Sequence, residues 1–266
     1  MAAETEDERG VRRLRRTLFD GVAQLYEASR PGYPSRIVDF VINTAGIGTG
    51  SAVLEVGCGT GQLTETLAGH GFDLTAIDIG PSLIDTARHR LGDSTVSFEV
   101  VSFEEFTGPP GSFELIISAT AFHWVDPEIR YRKSARLLRP GGWLAVLATG
   151  ERYDDPFGGT LREMWDVRSP DGGAWRKQPR PSDSEAIAES GLFEPAVHTT
   201  EVQRMTMPVE SVIGVENTRA TSLSWPHEVR EEFTGEMRRH LGSHTEVGLI
   251  QETSLTMARV RGRAGL

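Results

Sequence analysis

Three glycines spaced two residues apart form the pattern in this chain that most strongly indicates ligand chemistry. Gly57, Gly59 and Gly61 lie in the stretch L-E-V-G-C-G-T-G, between the apolar run Ala52–Val56 and a helical pattern. Glycine adopts positive φ angles and lets a ligand approach the backbone closely, and the N–H groups that open a helix can receive polar ligand atoms. Asp78 ends the next strand candidate, where it can accept hydrogen bonds from both hydroxyls of a ribose. The arrangement predicts a site for an adenosine-containing ligand.

The spacing of the glycines separates two such ligands, NAD and S-adenosylmethionine (SAM). The dinucleotide fingerprint is Gly-x-Gly-x-x-Gly near the start of its fold, whereas here the third glycine comes one residue early. Glu55, one residue before the strand meets the loop, also favours SAM. An NAD-dependent oxidoreductase is therefore the remote alternative.

Four groups of motifs extend this interpretation beyond the loop. They are E-V-G-C-G-T-G at 55–61 with A-I-D-I-G-P-S-L-I-D-T-A-R at 76–88, S-A-T-A-F-H-W-V-D-P-E at 118–128, L-L-R-P-G-G-W-L-A-V at 137–146, and F-D-G-V-A-Q-L-Y-E-A-S-R-P-G-Y-P at 19–34. Together they resemble the class I SAM-dependent methyltransferases, in the subgroup that acts mainly on small molecules. The resemblance is good over 19–149, and over 150–266 it is limited to the order of helices and strands. It implies an α/β fold with a doubly wound, mostly parallel seven-stranded sheet, and helices added over the active site.

The resemblance also implies which residues bind SAM and its product S-adenosylhomocysteine (SAH). Asp78 would hold the ribose and Ile79 would pack on the adenine. The family usually has an acidic residue after the third strand to receive the adenine amino group. This chain has Ser102 and Phe103 there, which leaves that contact to the Ser102 hydroxyl, the Phe103 backbone or Glu104. The complete implied set is Tyr26, Arg30, Glu55, Gly57, Cys58, Gly59, Gly61, Asp78, Ile79, Ser102, Phe103, Ser118 and Ala119.

Two members of this set come from the N-terminal Y-x-x-x-R-P segment, which folds over the cofactor in relatives. Tyr26 and Arg30 match it. Arg30 would neutralise the methionine carboxylate of SAM. The alternative is an ordinary surface arginine at the end of a helix.

His123 is the candidate catalytic residue. It follows the fourth predicted strand in A-F-H-W, and ligands bind at the carboxyl ends of such strands. A histidine there titrates near neutrality and can act as the general base for an acceptor that must lose a proton. The alternative is that His123 and Trp124 only line the pocket or cap the next helix. For Cys58, inside the glycine loop, a packing or cofactor-contact role is favoured over that of a nucleophile.

Alternating apolar runs and helical stretches predict the elements that position these residues. Strands are predicted at 52–56, 74–78, 96–101, 113–118, 143–148, 196–207 and 251–260, and helices at 62–69, 82–91, 128–138, 183–190, 209–224 and 227–241. Residues 151–182 are rich in Gly, Pro, Trp and charge and predict irregular structure. We expect a variable N-terminal segment at 1–18 and one domain at 19–266, with the cofactor-binding core at 19–149 and the last strands and substrate-covering helices at 150–266.

Aromatic side chains after the fifth strand indicate where the acceptor binds. Trp165, Trp175 and Trp225 lie there, enough aromatic surface for an apolar or ring-bearing metabolite, although a tryptophan at helical spacing is usually buried for packing. The Asp/Asn-Pro-Pro-aromatic signature of enzymes that methylate amino groups of DNA and proteins is missing after the fourth strand, where Ala119–Phe122 stands. Nucleic acid and protein acceptors are therefore disfavoured, and O-, N- and C-methylation stay open.

Composition narrows the function classes further. The net charge of −10 disfavours a broad nucleic-acid surface, and the basic stretch Arg9–Arg16, after an acidic opening, predicts a solvated N-terminal helix or frayed tail. A single cysteine excludes an intrachain disulfide, and no cluster has metal-ligand spacing. No apolar run is long enough for a bilayer and no secretory h-region is present. We therefore expect a cytoplasmic monomer or homodimer that binds no metal, membrane or nucleic acid. The alternatives are a SAM-binding protein with drifted chemistry and a non-catalytic binding protein.

Overall fold

A computed structural model describes residues 6–154, 156–168 and 183–262 of the chain, which form a layered α/β structure around one sheet. The strands are β1 (Ala52–Val56), β2 (Asp73–Asp78), β3 (Ser97–Val100), β4 (Phe113–Ala119), β5 (Leu138–Tyr153), β6 (Val197–Pro208) and β7 (Glu246–Arg259). They lie in the order β3-β2-β1-β4-β5-β7-β6. Strands β1 to β5 run parallel, β7 is antiparallel to β5, and β6 is antiparallel to β7. The predicted doubly wound, mostly parallel seven-stranded sheet is confirmed.

The order of the strands reverses beside β1, which has β2 on one side and β4 on the other. Ligands of open parallel sheets bind at the carboxyl ends of the strands at such a point. The glycine loop after β1, Asp78 at the end of β2 and the chain after β4 therefore meet at one edge of the sheet.

Helices cover both faces of the sheet. They are α1 (Glu6–Thr17), α2 (Ala23–Ser29), α3 (Ser35–Ala45), α4 (Gln62–Ala68), α5 (Pro81–Leu91), α6 (Arg130–Leu137), α7 (Phe157–Arg168), α8 (Asp183–Ser190), α9 (Val209–Asn217), α10 (Ala220–Leu223) and α11 (His227–Leu241), with 3-10 turns at Asp20–Val22 and Phe122–Trp124. Side chains alternate along a strand. Val53 of β1 accordingly packs in the core with α3 and α4, while Leu54 and Val56 pack in the core with α6 and α8. None of the helices in the described ranges has the length and apolar composition needed to cross a membrane.

A third core lies where β5 and β7 extend beyond the shorter strands. Helices α7, α9 and α11 cover this part, with buried Phe157, Val212 and Phe233 against Tyr153 and Leu249 of the strands. These helices pack against the outer parts of β5 and β7.

Helix α7 is, with α2 and α3, one of the helices that the sequence analysis did not predict. Two glycines near its start lower helix propensity, and its surroundings are rich in loop-forming residues. Phe157, Leu161 and Trp165 are spaced four residues apart, and all three side chains are buried. Packing of this face against the third core offsets the weak propensity.

Strand β5 begins earlier than predicted. The sequence analysis places the end of a helix at residue 138 and the strand at 143–148, whereas the strand starts at Leu138. Leu138 pairs with Phe113 of β4, and the register shifts between Phe113 and Leu115. An irregularity in the ladder thus accommodates the turn-forming residues inside the strand.

The basic N-terminal stretch forms α1, and the expectation that it is solvated is wrong for its inner face. Arg12 is 9% exposed and donates to the Trp124 carbonyl oxygen at 2.8 Å. Arg16 donates to Glu104 at 2.8 Å. Sequence spacing alone does not show which distant acceptors these arginines meet. The division of the chain at residues 18 and 149 stays a prediction.

Candidate active site

The glycine loop joins β1 to α4 with three residues in the left-handed region of φ. Gly57, Gly59 and Gly61 have φ values of +73°, +55° and +90°. A Cβ atom on Gly57 would overlap the Cβ atom of Ala121, and one on Gly61 would lie 3.1 Å from the Cβ atom of Ala87. A Cβ atom on Gly59 would have no atom of the described residues within 4 Å, apart from those of Gly59 and its two neighbours in the chain. Gly57 and Gly61 are thus required by packing, whereas Gly59 borders open space.

Asp78 fixes the conformation of this loop and faces the same space. Its Oδ2 accepts the Gly59 N–H at 2.9 Å and its Oδ1 accepts the Gly80 N–H at 3.0 Å. Burial raises the pKa of Asp78, although these N–H groups act in the opposite direction. Each carboxylate oxygen can accept a second hydrogen bond. The side chain can therefore hold the loop and accept hydroxyl groups of a ligand at once.

The glycine loop and Asp78 form one wall of a cavity of about 860 Å³, called here the loop cavity. Phe19, Tyr26 and Tyr33 line it from the N-terminal region, and Thr120 and Trp124 line it beyond the end of β4. The structure brings nine of the predicted cofactor-binding residues to this cavity, namely Tyr26, Glu55, Gly57, Cys58, Gly59, Asp78, Ile79, Phe103 and Ala119.

The remaining predicted cofactor-binding residues do not line the loop cavity. The Ser118 hydroxyl donates to the Val56 carbonyl oxygen at 2.7 Å and so ties β4 to β1. The Ser102 hydroxyl donates to Glu105 at 3.0 Å. Gly61 packs on α5, and Arg30 lines a neighbouring cavity. Among the three adenine contacts left open, Phe103 and Glu104 line the loop cavity and Ser102 does not.

A second, wider cavity of about 1730 Å³ adjoins the loop cavity. Six residues line both, namely Phe19, Tyr26, Tyr33, Gln62, Thr120 and Trp124. The second cavity continues between α1, α10 and the outer parts of β5 and β7, and His123 lines it. The six shared residues therefore lie between His123 and the glycine loop.

Four of the shared residues, Phe19, Tyr33, Gln62 and Thr120, were missed by the sequence analysis. The Tyr33 hydroxyl and the Thr120 hydroxyl are 3.1 Å apart, and Thr120 is the only described residue besides glycine with a positive φ, at 54°. Such backbone strain is concentrated at functional sites. Threonine gives no sequence signal for this conformation, so the position at the end of β4 was the only available indication.

Comparison with known proteins agrees with this geometry. The model of a methyltransferase domain family matches residues 54–146, from the glycine loop through most of β5. An uncharacterized methyltransferase of Mycobacterium tuberculosis is 27% identical over 250 residues, which cover 93% of this chain and 95% of the relative. A structure from Anaeromyxobacter dehalogenans, assigned as a type II methyltransferase, matches with a TM-score of 0.61 and 23% identity over 88% of this chain and 99% of that one. These similarities support a class I SAM-dependent methyltransferase.

In two further similarities the match covers only part of the other protein. A ubiquinone biosynthesis O-methyltransferase of Xanthomonas campestris is 42% identical over 112 residues, which cover 41% of this chain and 46% of the relative. Phosphoethanolamine N-methyltransferase 2 of Haemonchus contortus, solved with phosphomonomethylethanolamine and SAH, matches with a TM-score of 0.54 and 16% identity. It covers 92% of this chain and 58% of that one. At this identity the likeness shows the fold alone.

Glu55 is a buried carboxyl group on the wall of the loop cavity. It is 1% exposed, and its Oε2 has no hydrogen-bond partner among the described residues. Burial raises its pKa from 4.5 to about 8. Because the pKa is higher in the folded than in the unfolded methyltransferase, this group's contribution to stability is complete below about pH 4.5 and is lost as the pH rises through about 8.

A Glu55→Gln variant tests this ionisation. We expect the melting temperature of the ligand-free wild type to fall more steeply than that of the variant as the pH rises from 4.5 to about 8, because the amide cannot ionise. Glu99→Gln, at an exposed position of β3, is the matched control and should follow the wild type. If thermal unfolding shows that the melting temperature depends equally on pH in the wild type and in Glu55→Gln, burial does not raise the pKa of Glu55.

The aromatic residues proposed to contact the acceptor pack mainly on one another. Trp165, Trp225 and Phe233 have ring centroids 4.7 to 5.3 Å apart and lie in or against the third core. Neither tryptophan lines the second cavity. Trp175 lies outside the described residues. In this methyltransferase the second cavity is lined instead by mostly polar and charged side chains.

Proposed function

We propose that this methyltransferase transfers a methyl group from SAM to a small-molecule acceptor bound in the second cavity. The observation that carries the proposal is the contact between the two cavities through six shared residues. A donor in the loop cavity and an acceptor in the second cavity would meet there, beside Tyr33 and Thr120. When bound, SAM supplies a methyl group carried by a sulfonium. The protein aligns the two molecules, and such alignment can lower a barrier by ~7–11 kcal/mol.

The polar groups of the loop cavity fit SAM. Glu55 Oε2, Gln62 Nε2 and Glu104 Oε2 are buried and have no hydrogen-bond partner among the described residues. SAM has an ammonium group and an adenine amino group that donate hydrogen bonds, and a carboxylate that accepts them. Two unpaired acceptors and one unpaired donor on the wall match this set, and a bound ligand would remove the cost of leaving them unpaired. Asp78 would receive the ribose hydroxyls and Gly59 would border the ligand.

A small molecule is favoured as acceptor because the second cavity is bounded on several sides. Residues of α1, the α2–α3 connection, α10, β5 and β7 contribute to its lining. The O-methyltransferase relative is named for ubiquinone biosynthesis, which is chemistry of a small molecule. We also propose that no metal takes part, so that activity persists in EDTA. In the described parts of the chain, no three His, Cys, Asp or Glu side chains are grouped so as to hold an ion.

The Asp78→Ala variant tests the assignment of the donor site. It removes the partner of the ribose hydroxyls and two anchors of the loop, so we expect SAM and SAH to bind ~10- to 100-fold more weakly. Titration calorimetry gives the affinity, and circular dichroism checks the fold. Asp85→Ala, at an exposed position of α5, is the control and should bind SAM normally. A folded Asp78→Ala variant with wild-type affinity would remove Asp78 from the site.

Transfer itself is tested by the mass of the product. Incubation of the protein with labelled SAM and a cell extract freed of macromolecules should give SAH and an acceptor heavier by one methyl group. SAM binding without any methylated product would favour the alternative of a SAM-binding protein with drifted chemistry.

A further inference from the structure

The second cavity has a charge opposite to that of the protein as a whole. The chain carries a formal net charge of −10. Among the described residues, three arginines, Arg15, Arg30 and Arg219, nevertheless line this cavity, and the only carboxylate in its lining is that of Glu151. The partners of each arginine decide how much of this positive charge is left for a ligand.

Two of the arginines belong to a buried network that balances their charge. Arg30 lies 3.4 Å from Glu151. Arg219 lies 3.2 Å from Glu151 and donates twice to Glu216 at 2.9 Å. Although burial alone would raise the pKa of Glu216, the Arg219 guanidinium and its hydrogen bonds hold it below its ordinary value. Two guanidinium groups and two carboxylates thus compensate each other, and the network has no net charge.

One hydrogen-bond donor of this network lies on the cavity side and has no acceptor among the described residues. The Nε and Nη2 atoms of Arg219 make the contacts to the carboxylates, and its Nη1 atom has no hydrogen bond to any described residue. The Arg219 side chain is 31% exposed although it lies in the network. Nη1 can therefore donate to a ligand without breaking a contact of the network.

Arg15 supplies the charge that nothing in the network offsets. It is half-buried on α1 and lines the cavity, and no described residue forms a hydrogen bond or ion pair with its guanidinium group. Arg12 and Arg16 on either side anchor α1 to Trp124 and Glu104. The helix that carries Arg15 is therefore held in place, and its positive charge is directed to the cavity by the fold.

Gln251 is a further polar residue of the lining with an unpaired group. Gln251 is 2% exposed, and its Oε1 atom is buried without a hydrogen-bond partner among the described residues. Thr149 and Thr221 add hydroxyl groups to the lining. An unpaired buried amide is costly unless a ligand satisfies it. The occupant that fits is polar, with hydrogen-bonding groups besides its charge.

We propose that the methyl acceptor is an anionic small molecule whose carboxylate or phosphate group is bound by Arg15 and by Nη1 of Arg219. This inference rests on the proposed function, since it names the substrate class of the same site. Hydrogen bonds between a guanidinium group and an anionic oxygen are about twice as strong as neutral ones. Gln251 and the threonine hydroxyls contact the uncharged polar part of the acceptor.

Sorting possible acceptors by charge provides the deciding experiment. A cell extract freed of macromolecules is divided on an anion-exchange resin at neutral pH into a retained anionic pool and a flow-through of neutral and cationic compounds. Each pool is incubated with the protein and methyl-labelled SAM. We expect label in products of the anionic pool. Label only in products of the flow-through would overturn the proposal.

The Arg15→Gln variant tests the residue that carries the argument. We expect the KM for the acceptor of the active pool to rise ~10- to 100-fold, the size of a lost charge-assisted contact, while the KM for SAM is unchanged. Arg15→Lys should restore part of the affinity, and added salt should weaken acceptor binding in the wild type more than in Arg15→Gln. Arg13→Gln is the matched control, because Arg13 is exposed on the same helix. An unchanged acceptor KM in Arg15→Gln would remove Arg15 from the site.

Failure of this inference and failure of the proposed function give different results. If neither pool is methylated although calorimetry shows SAM binding, methyl transfer to a small molecule is contradicted, and the cavity is then tested alone. Citrate is titrated into the SAH-loaded protein, with its neutral trimethyl ester as the matched probe. Binding of citrate but not of the ester, weakened ~10-fold or more in Arg15→Gln, supports the anion site. Equal binding of both probes, or no binding of either, overturns it.

Discussion

A Gly59→Val variant is expected to fold and to lose SAM binding, with an affinity at least ~100-fold below that of the wild type. At the wall of the loop cavity, no described residue except the two chain neighbours has an atom within 4 Å of the added Cβ atom, so the side chain would project into space open to a ligand. The φ of +55° is also unfavourable for a branched residue. Calorimetry with SAM and SAH measures the affinity.

The effect of backbone strain is separated from the effect on the ligand by a second glycine. Gly92, at the end of α5, has a φ of +53° and equally open surroundings, but it does not line either cavity. Gly92→Val should therefore lose a similar amount of thermal stability and keep its SAM affinity. If folded Gly59→Val binds SAM as the wild type does, the glycine loop is not the cofactor site.

His123→Ala is expected to lose ~10²–10⁴-fold in turnover while its SAM affinity changes little, if His123 is the general base. His123 is exposed, lines the second cavity and lies in the 3-10 turn after β4, with its ring centroid 4.7 Å from that of Trp124. It is thus on the acceptor side, as a base requires. The rate of the wild type should rise through the neutral range, because an imidazole loses its proton there, and the variant should show a flatter profile.

The same measurements separate a base from a residue that only lines the cavity. In the second case the loss should be smaller and should appear as a raised KM for the acceptor. His89→Ala, at an exposed position of α5, is the control and should leave both rate and pH profile unchanged. A pH profile that keeps its shape in His123→Ala would assign the proton transfer to another group or to none.

Elements with strong local signals were predicted closely from the sequence. Strand β1 and helix α8 have the predicted bounds, and β4 is one residue longer than predicted. A buried apolar run and helical spacing are properties of neighbouring residues, so they can be recognised in the sequence. Helix α7 and the start of β5 were missed because packing against distant residues outweighs their local composition.

The residues of the site likewise include some that the sequence predicts well and others that depend on the packing. The glycine loop and Asp78 are separated by one helix and belong to adjacent parallel strands, so their meeting follows from the strand order that the motifs imply. Ser102 and Ser118 occupy the expected positions in the chain, but their hydroxyl groups are taken by Glu105 and by the Val56 carbonyl oxygen. Such choices of partner depend on side-chain directions that spacing does not encode.

The sheet and the glycine loop could be predicted from the sequence, because periodicity, glycine spacing and strand order are local or follow from parallel pairing, and the motifs carry the resemblance to a family. The second cavity was decided only by the tertiary structure. Arg15 and Arg219 lie near opposite ends of the chain, on α1 and just before α10, and neither belongs to a recognisable motif. They line one cavity because α1 is held by Arg12 and Arg16 while Arg219 is held by two buried carboxylates. Charge balance is a property of that packing, and only the folded chain shows which arginine is left to bind an anion.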